Sequence, residues 1–405
     1  MHKVFIVGMG LSARDLTEQH LEIVRSADIL VGGQRHLDQF NDLPMPKERI
    51  TGNVEKTVRF IQNHCADSRI VVLASGDPLF FGIGTRIVKA LGSEAVTVLP
   101  NITSIAAAFA RINTSWSEAV IISLHGRSRR YQLLEAIKSR RPVAVLTDAR
   151  QSPQWLARWL MEKGVDNTEM AVFEQLGSGD ETFDWYPLNQ AADATFSSPN
   201  VVILKPMSNH GATDDLVLGM GDDDYRHDGG MITKSEVRAV TLAKLRLKPG
   251  LTLWDLGAGS GSVGIEASVL LGHGRIVAVE QDAGRVARIR QNALQYGVCN
   301  IDVKQAVLPE GLADLPPPDR IFIGGGGRHL PSIVRTAAQF LAPGGIMVAN
   351  TVLVDNLTRV LETMDAAGMQ TEMVQMQISR SKAMPWSRRM EAHNPVWIVS
   401  GAKDR

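Results

Sequence analysis

Apolar positions fall along the chain in short β-branched runs, closed by glycine, proline or acidic residues and separated by longer stretches with helical spacing. Runs of this kind suit strands buried on both faces, and their alternation with helices predicts parallel sheets covered by helices. In the first half the predicted strands are KVFIVG, ADILVG, SRIVVLAS, AVTVLP, EAVIISLHG, RPVAVLTD, TEMAVFEQL and NVVILK. The turn-rich RINTSWSE (111–118) divides this half into two lobes. PMSNHGATDDLVLGMGDDDYRHDGG (206–230) is polar, rich in breakers and weakly periodic, and reads as a linker. Beyond it, TKSE (233–236) has capping-box spacing and predicts the start of a helix. Strands follow at LTLWDL, RIVAVE, NIDVK, DRIFIG and GGIMVA, and a last pair, TEMVQMQI and PVWIVS, is joined by a loop without a helical pattern. This is a doubly wound sheet with an antiparallel finish. The expected organisation is a domain over 1–205 with lobes of about 1–112 and 113–205, a linker over 206–230, and a domain over 231–405.

The length of 405 residues accommodates two or three such cores. Lys+Arg and Asp+Glu are both 43, so no overall field attracts nucleic acid or an anionic membrane, and any anionic partner must be met by a local cluster. Cys65 and Cys299 form no CxxC pair, which argues against a disulfide framework, a structural zinc site or an iron–sulfur cluster; no metal is expected. Arg14 and Asp15 interrupt the first apolar run too early for a signal peptide, and no run reaches bilayer length. A soluble, cytoplasmic protein is expected.

The densest chemical signal is DLGAGSGSVGIEAS (255–268), which follows a predicted strand. GSGSVG (259–264) matches the dinucleotide fingerprint, with Glu280 near the distance at which an acid grips ribose hydroxyls. Asp255, two residues before Gly257, shifts the preference. A carboxylate there suits the ammonium group of a methionine moiety and would repel a pyrophosphate. S-adenosylmethionine is therefore preferred, with a dinucleotide or a turn without ligand left open. In that reading Gly257, Gly259 and Gly261 let the backbone approach the cofactor. Glu280 accepts from the ribose, and Gln305 and Ala306, after NIDVK, lie near the adenine.

In the first half VGMG, SGDP and PNITSI each follow a predicted strand, at the carboxyl ends where open α/β sheets bind ligands. With HGR (125–127) and FEQLGSGDE (173–181), they make this half similar to the tetrapyrrole methylase family. The resemblance implies S-adenosylmethionine held between two α/β lobes, with Gly8, Gly76, Asp77, Thr103 and Ser104 lining the cleft. Asn101 stands where that family commonly has glycine. The second half, through DGGMITKSEVRA, the glycine loop, PDRIFIGGGG and NPVWIVSG, resembles the decarboxylating corrin methyltransferases and adds Thr233 to the cofactor candidates.

Together these resemblances imply a two-lobed tetrapyrrole methylase fold followed by a Rossmann-like class I methyltransferase domain, with one S-adenosylmethionine in each. The implied reaction belongs to cobalamin biosynthesis: methylation of a precorrin at C5 by the first half, and C15 methylation with decarboxylation of the ring-C acetate by the second, giving precorrin-8x. The alternatives are another methylation in that pathway on a cobalt-containing intermediate, an NAD(P)-dependent oxidoreductase, and a binding protein without chemistry. A polycarboxylate substrate calls for cations. The substrate candidates are Arg127, Arg328 and the basic run SRSKAMPWSRR (379–389) with Arg380, Lys382, Arg388 and Arg389. His125, Arg328 and His329 are the candidates for proton transfer, and Tyr225, Arg226 and His227 stand where they could cover the second site. The resemblance further implies a homo-oligomer, a tetramer being one form, assembled through the second half.

Overall fold

The structure, a computed structural model, describes residues 4–51, 53–124, 129–139, 141–165, 168–206 and 215–404. It divides into two compact units. One comprises Met1–Arg129, Ser139–Met161 and Asp166–Met207; the other comprises Arg130–Lys138, Glu162–Val165 and Ser208–Arg405.

The first unit contains two sheets. Strands β1 (Val4–Gly8), β2 (Ile29–Gly32), β3 (Lys47–Arg49), β4 (Ile70–Ala74) and β5 (Val96–Leu99) form an all-parallel sheet in the order β3-β2-β4-β1-β5. Every residue of β4 is buried, and its alternate side chains enter separate apolar clusters on the two faces. The second sheet has the order β6-β7-β10-β8-β9, from β6 (Val120–Ser123), β7 (Val143–Leu146), β8 (Thr168–Glu174), β9 (Thr182–Pro187) and β10 (Asn200–Pro206). Only its β6–β7 pair is parallel. The predicted strands all form. Two more appear at sheet edges, β3 (KER) and β9 (TFDWYP), where exposure removes the apolar run that marks a buried strand.

The second unit is built on one sheet of β11 (Thr252–Leu256), β12 (Arg275–Glu280), β13 (Ile301–Gln305), β14 (Arg320–Ile323), β15 (Ile346–Thr351), β16 (Met369–Met376) and β19 (Val396–Lys403). Its order is β13-β12-β11-β14-β15-β19-β16, with β19 antiparallel to both neighbours. Leu253 enters one core cluster and Trp254 and Leu256 the other, so β11 is buried on both faces. The order reverses between β11 and β14, and at such a switch point loops at the carboxyl ends open a crevice. The basic run expected as a loop is instead a hairpin, β17 (Ser379–Ala383) paired with β18 (Arg388–Ala392). Most of its residues are exposed, Trp386 at 89%.

The helix predicted from TKSE forms as Ser235–Leu245, but its capping box does not. Lys234 is the N-cap, and the Ser235 amide donates to Asp222 Oδ1 at 3.0 Å. Asp222 belongs to the segment expected as a linker. Residues 207–214 of that segment lie outside the described residues, and the rest packs into the second unit. Tyr225 is buried there, Leu216 and Met220 lie against the same core, and the Gly219 and Met220 amides donate to Glu266 at 2.9 and 3.1 Å.

Glu266 is fully buried and paired at 2.6 Å with Arg238, which is fully buried as well. Arg238 also donates to the Thr233 carbonyl at 2.7 Å and to that of Met220. Removing either partner strands a charge away from water, so Glu266→Ala should cost about 3–5 kcal/mol. Arg238→Met with Glu266→Leu should cost less than either single truncation, because no charge is left unpaired. Urea unfolding of the full chain, followed by circular dichroism, checks the ranking.

Candidate functional sites

In the second unit Asp255 ends β11 with no solvent exposure, beneath the helix Ser262–Leu271. Its Oδ2 accepts the Gly264 amide at 3.0 Å, while Oδ1 is buried without a partner among the described residues. Burial, with the Glu280 charge as a smaller cause, pushes its carboxyl up to about 7 against the pull of the Gly264 amide. A buried acceptor without a donor is costly, and a cationic ligand group would satisfy it. The loop above it is left-handed at Gly257 and Gly259 (φ 71° and 59°). A Cβ on Gly257 would lie 3.2 Å from the Gly325 amide, so two loops meet there; a Cβ on Gly259 would meet nothing within 4 Å. That open space over a glycine with its backbone exposed fits the close approach of a cofactor.

Glu280, at the end of β12, is 4% exposed and accepts the Gly259 amide at 3.0 Å on one oxygen and the Gln281 and Asp282 amides on the other. Gln305 pairs with Glu280 in register, and the Ala306 amide donates to the Glu280 carbonyl at 3.1 Å. The fold thus brings together the loop glycines, Asp255, Glu280, Gln305 and Ala306. Thr233 is tied instead to the buried pair, its carbonyl accepting from Arg238, the partner of Glu266. Sequence reasoning missed Asn292. It is fully buried, its Nδ2 donates to the Ser260 and Arg226 carbonyls at 2.9 and 3.0 Å, and its Oδ1 accepts the Arg226 amide. An asparagine beside the buried stripe of Val286, Ile289 and Ala293 was the available signal.

The loop after β14 carries Arg328 and His329 on the turn Gly327–His329, where Arg328 Nε donates to His329 Nε2 at 3.1 Å. Asn356 donates to the Gly327 carbonyl at 2.7 Å and ties this loop to the one after β15. The basic hairpin differs from the expected substrate cluster. Arg380 is bound by Glu236 and Asp222 and donates to the Ser235 hydroxyl, which holds the Glu236 carboxyl down at about 2 and raises the guanidinium. Lys382 and Arg389 share Glu391 at 3.1 and 3.3 Å. Among the described residues Arg388 alone of the four has no ion pair.

In the first unit the loops after β1, β4 and β5 meet. The Gly76 amide donates to the Gly10 carbonyl at 3.1 Å, and a Cβ on Gly8 would lie 2.5 Å from the Gly76 carbonyl. Asp77 accepts the Leu79 amide, and Thr103 caps the helix that starts at Ser104. Asn101 replaces the expected glycine without a left-handed backbone. Its Nδ2 donates to the Gly8 and Asp15 carbonyls at 2.9 and 3.0 Å, so the side chain itself stitches the loops. His36, also missed, lies 3.3 Å from the Ser75 hydroxyl, and burial lowers it to about 4, with Arg35 adding to the effect. His125 and Arg127 lie outside the described residues.

Comparison with known proteins places both halves. Residues 3–190 match the tetrapyrrole (corrin/porphyrin) methylase family and residues 223–403 the precorrin methyltransferase domain family. A precorrin-6Y C(5,15)-methyltransferase (decarboxylating) from Sinorhizobium sp is 33% identical, over 86% of this chain and 84% of its own. A probable cobalt-precorrin-6B C(15)-methyltransferase (decarboxylating) from Pyrobaculum calidifontis is 38% identical, over 43% of this chain and 90% of its own. The cobalt-precorrin-7 C(5)-methyltransferase of Salmonella typhimurium is 36% identical, over 49% of this chain and 97% of its own. With glycine loops at the carboxyl ends of two separate parallel sheets and a likeness that runs through both, the chain belongs to the family of decarboxylating precorrin-6Y C(5,15)-methyltransferases.

Proposed function

We propose that the chain uses one S-adenosylmethionine in each unit to methylate a cobalt-free precorrin at C5 and C15, and decarboxylates the ring-C acetate, releasing CO2 and leaving a methyl group, to give precorrin-8x. The observation that carries this reading is the pair of loop clusters, Gly8–Gly76–Asn101 in one unit and Asp255–Gly259–Glu280 in the other, each complete within its own sheet. The relatives that share only one activity act on cobalt-precorrin-6B and cobalt-precorrin-7. Their order puts C15 methylation and decarboxylation first and C5 methylation second. A relative that matches 86% of this chain is named for a precorrin without cobalt, which supports the metal-free substrate.

S-adenosylmethionine, when bound, supplies an electrophilic methyl group. Everything else asked of the protein is orientation and exclusion of water. In the second unit Gly257, Gly259, Gly261, Glu280, Gln305, Ala306 and Thr233 hold the cofactor, and Asp255 Oδ1 accepts its ammonium. In the first unit Gly8, Gly76, Asp77, Thr103 and Ser104 do so. A meso carbon of the reduced macrocycle is enamine-like and nucleophilic, and the conjugated imines of the ring take up the electron pair left when CO2 leaves the ring-C acetate, until a proton converts the remaining CH2 into a methyl group. His329, whose Nε2 already accepts from Arg328, is placed to move a proton during that step. The sheet edge and hairpin of the second unit carry the contacts between copies in a homo-oligomer, for which Trp386 and Met390 offer exposed apolar surface. The chain works in the cytoplasm.

Three outcomes test this reading. Gly259→Val fills the open space above the glycine, so CO2 release should stop. Gly76→Val with Asp77→Ala should instead accumulate a product with one methyl transferred and one CO2 lost from the ring-C acetate. Mass spectrometry of products from precorrin-6B with labelled S-adenosylmethionine counts both changes, and wild-type CO2 release by the Gly259 variant sinks the assignment. The raised Asp255 carboxyl sets a pH dependence. A cation binds its charged form, so affinity for S-adenosylhomocysteine should rise about tenfold between pH 6 and 8, as the site ionises through about 7. Asp255→Asn should bind more weakly and show a flat profile in titration calorimetry. The same linkage acts on folding. The folded carboxyl lies above its unfolded value, so its contribution to stability falls as pH rises from about 4 to 7 and is level beyond. Finally, a fragment from Asp215 to the C-terminus should be soluble and associate in light scattering, and a strict monomer counts against assembly through this unit.

A further inference from the structure

Beside the Arg328 loop the second unit has a cleft of about 270 Å³ lined by Arg328, Leu353, Val354, Asp355, Asn356 and Arg359. It adjoins a second of about 420 Å³ that shares Arg328 and Arg359 and adds Arg335. These guanidinium groups come from three different elements: the turn Gly327–His329, the helix Leu330–Phe340 and the helix Val354–Ala366. Elsewhere in this unit Arg238 lies on Glu266, Arg288 on Asp228 and Arg380 on Asp222, whereas Arg388, without an ion pair among the described residues, stands alone on the exposed hairpin. Among the described residues none of Arg328, Arg335 and Arg359 has an ion pair, although Asp355 and Glu362 also reach the rim. Next to them Val352, Leu353 and Val354 are 51%, 51% and 65% exposed, three successive apolar side chains that the core does not take up. The Asn356 bond to Gly327 fixes this shelf to the glycine run that meets Gly257.

The geometry points to Arg335 and Arg359, with Arg328, as the carboxylate anchors of the substrate in the second unit, and to Val352–Val354 as the shelf for its macrocycle. A tetrapyrrole polycarboxylate is a flat apolar body edged with anions, and an apolar shelf bordered by unpaired guanidinium forks matches both parts. The basic hairpin, whose Arg380, Lys382 and Arg389 are already engaged, fits that task less well. This inference rests on the proposed reaction for the identity of the substrate, not for the existence of the anion site.

The test uses the full chain and two readouts. Uroporphyrin, a tetrapyrrole polycarboxylate, is titrated by fluorescence, and KM and kcat for CO2 release are measured with precorrin-6B. Arg359→Ala and Arg335→Ala should each weaken uroporphyrin binding about tenfold and raise KM by a similar factor with kcat largely kept. Arg359→Lys should recover part of the loss, since it restores the charge without the fork. Affinity for S-adenosylhomocysteine should stay at the wild-type value in all three, which shows that the unit is folded. Absence of uroporphyrin binding by the wild-type chain, or unchanged binding and KM in the alanine variants, overturns the inference. So does a larger loss from Arg388→Ala with Arg389→Ala than from the cleft variants. Arginine-dependent uroporphyrin binding by a wild-type chain that releases no CO2 would leave the anion site standing and remove the proposed reaction.

Discussion

Arg238 and Glu266 are withdrawn from water together, and much of the second unit is arranged so that neither is left alone. The guanidinium reaches the carbonyls of Met220 and Thr233, while the carboxylate receives the amides of Gly219 and Met220. One buried pair thus ties the approach segment, the start of the helix Ser235–Leu245 and the helix that follows the glycine loop. A buried pair of this kind adds little net stability over an apolar pair of the same volume. Its value here is directional: each donor has one carbonyl to find, so the segment that runs up to Thr233 has one seat.

The two loop clusters solve the same problem by different means. Around Gly259 the backbone itself takes a left-handed path, and a carboxylate from the neighbouring strand, Glu280, accepts the amide that this path presents. Around Gly8 a side chain does the joining, because Asn101 reaches two carbonyls of the preceding loop. Where a glycine would leave that space empty, the amide supplies donors that fix the loops relative to one another. Asn292 does for the second unit what Asn101 does for the first, holding Ser260 and Arg226 through one side chain. Both sites therefore rest on a side-chain amide that touches only backbone, fully buried at Asn292 and half-buried at Asn101, with its donors and acceptor nearly all used.

Most of the fold was legible because strands buried on both faces cannot avoid apolar runs: β4 is apolar throughout, β12 is apolar between its two ends, and β11 is broken only by Thr252 and Asp255. The edges were not. β3 is Lys-Glu-Arg and the hairpin strands are mostly polar or charged, so neither leaves the apolar pattern that identifies a strand. The glycine loops, Asp255 and Glu280 could be placed from spacing alone, since strand, turn and helix follow one another locally. Arg380 could not. Its partner Asp222 lies 158 positions away, and no local pattern shows that an exposed-looking basic residue already has its carboxylate. The same blindness hid Arg335 and Arg359, which stand on separate helices and meet only in the folded unit, where both line one cleft.

The exposed tip of the hairpin has a practical side. Trp254 has no exposure and Trp159 is 8% exposed, whereas Trp386 is 89% exposed on an otherwise charged ribbon. An indole in water emits at longer wavelength than one in a core, and it is quenched by solutes that a packed indole never meets. Trp116, in the first unit, is 46% exposed, so long-wavelength excitation favours the hairpin without isolating it. Whatever covers that ribbon, whether another copy or a ligand, writes its arrival into the colour of one residue.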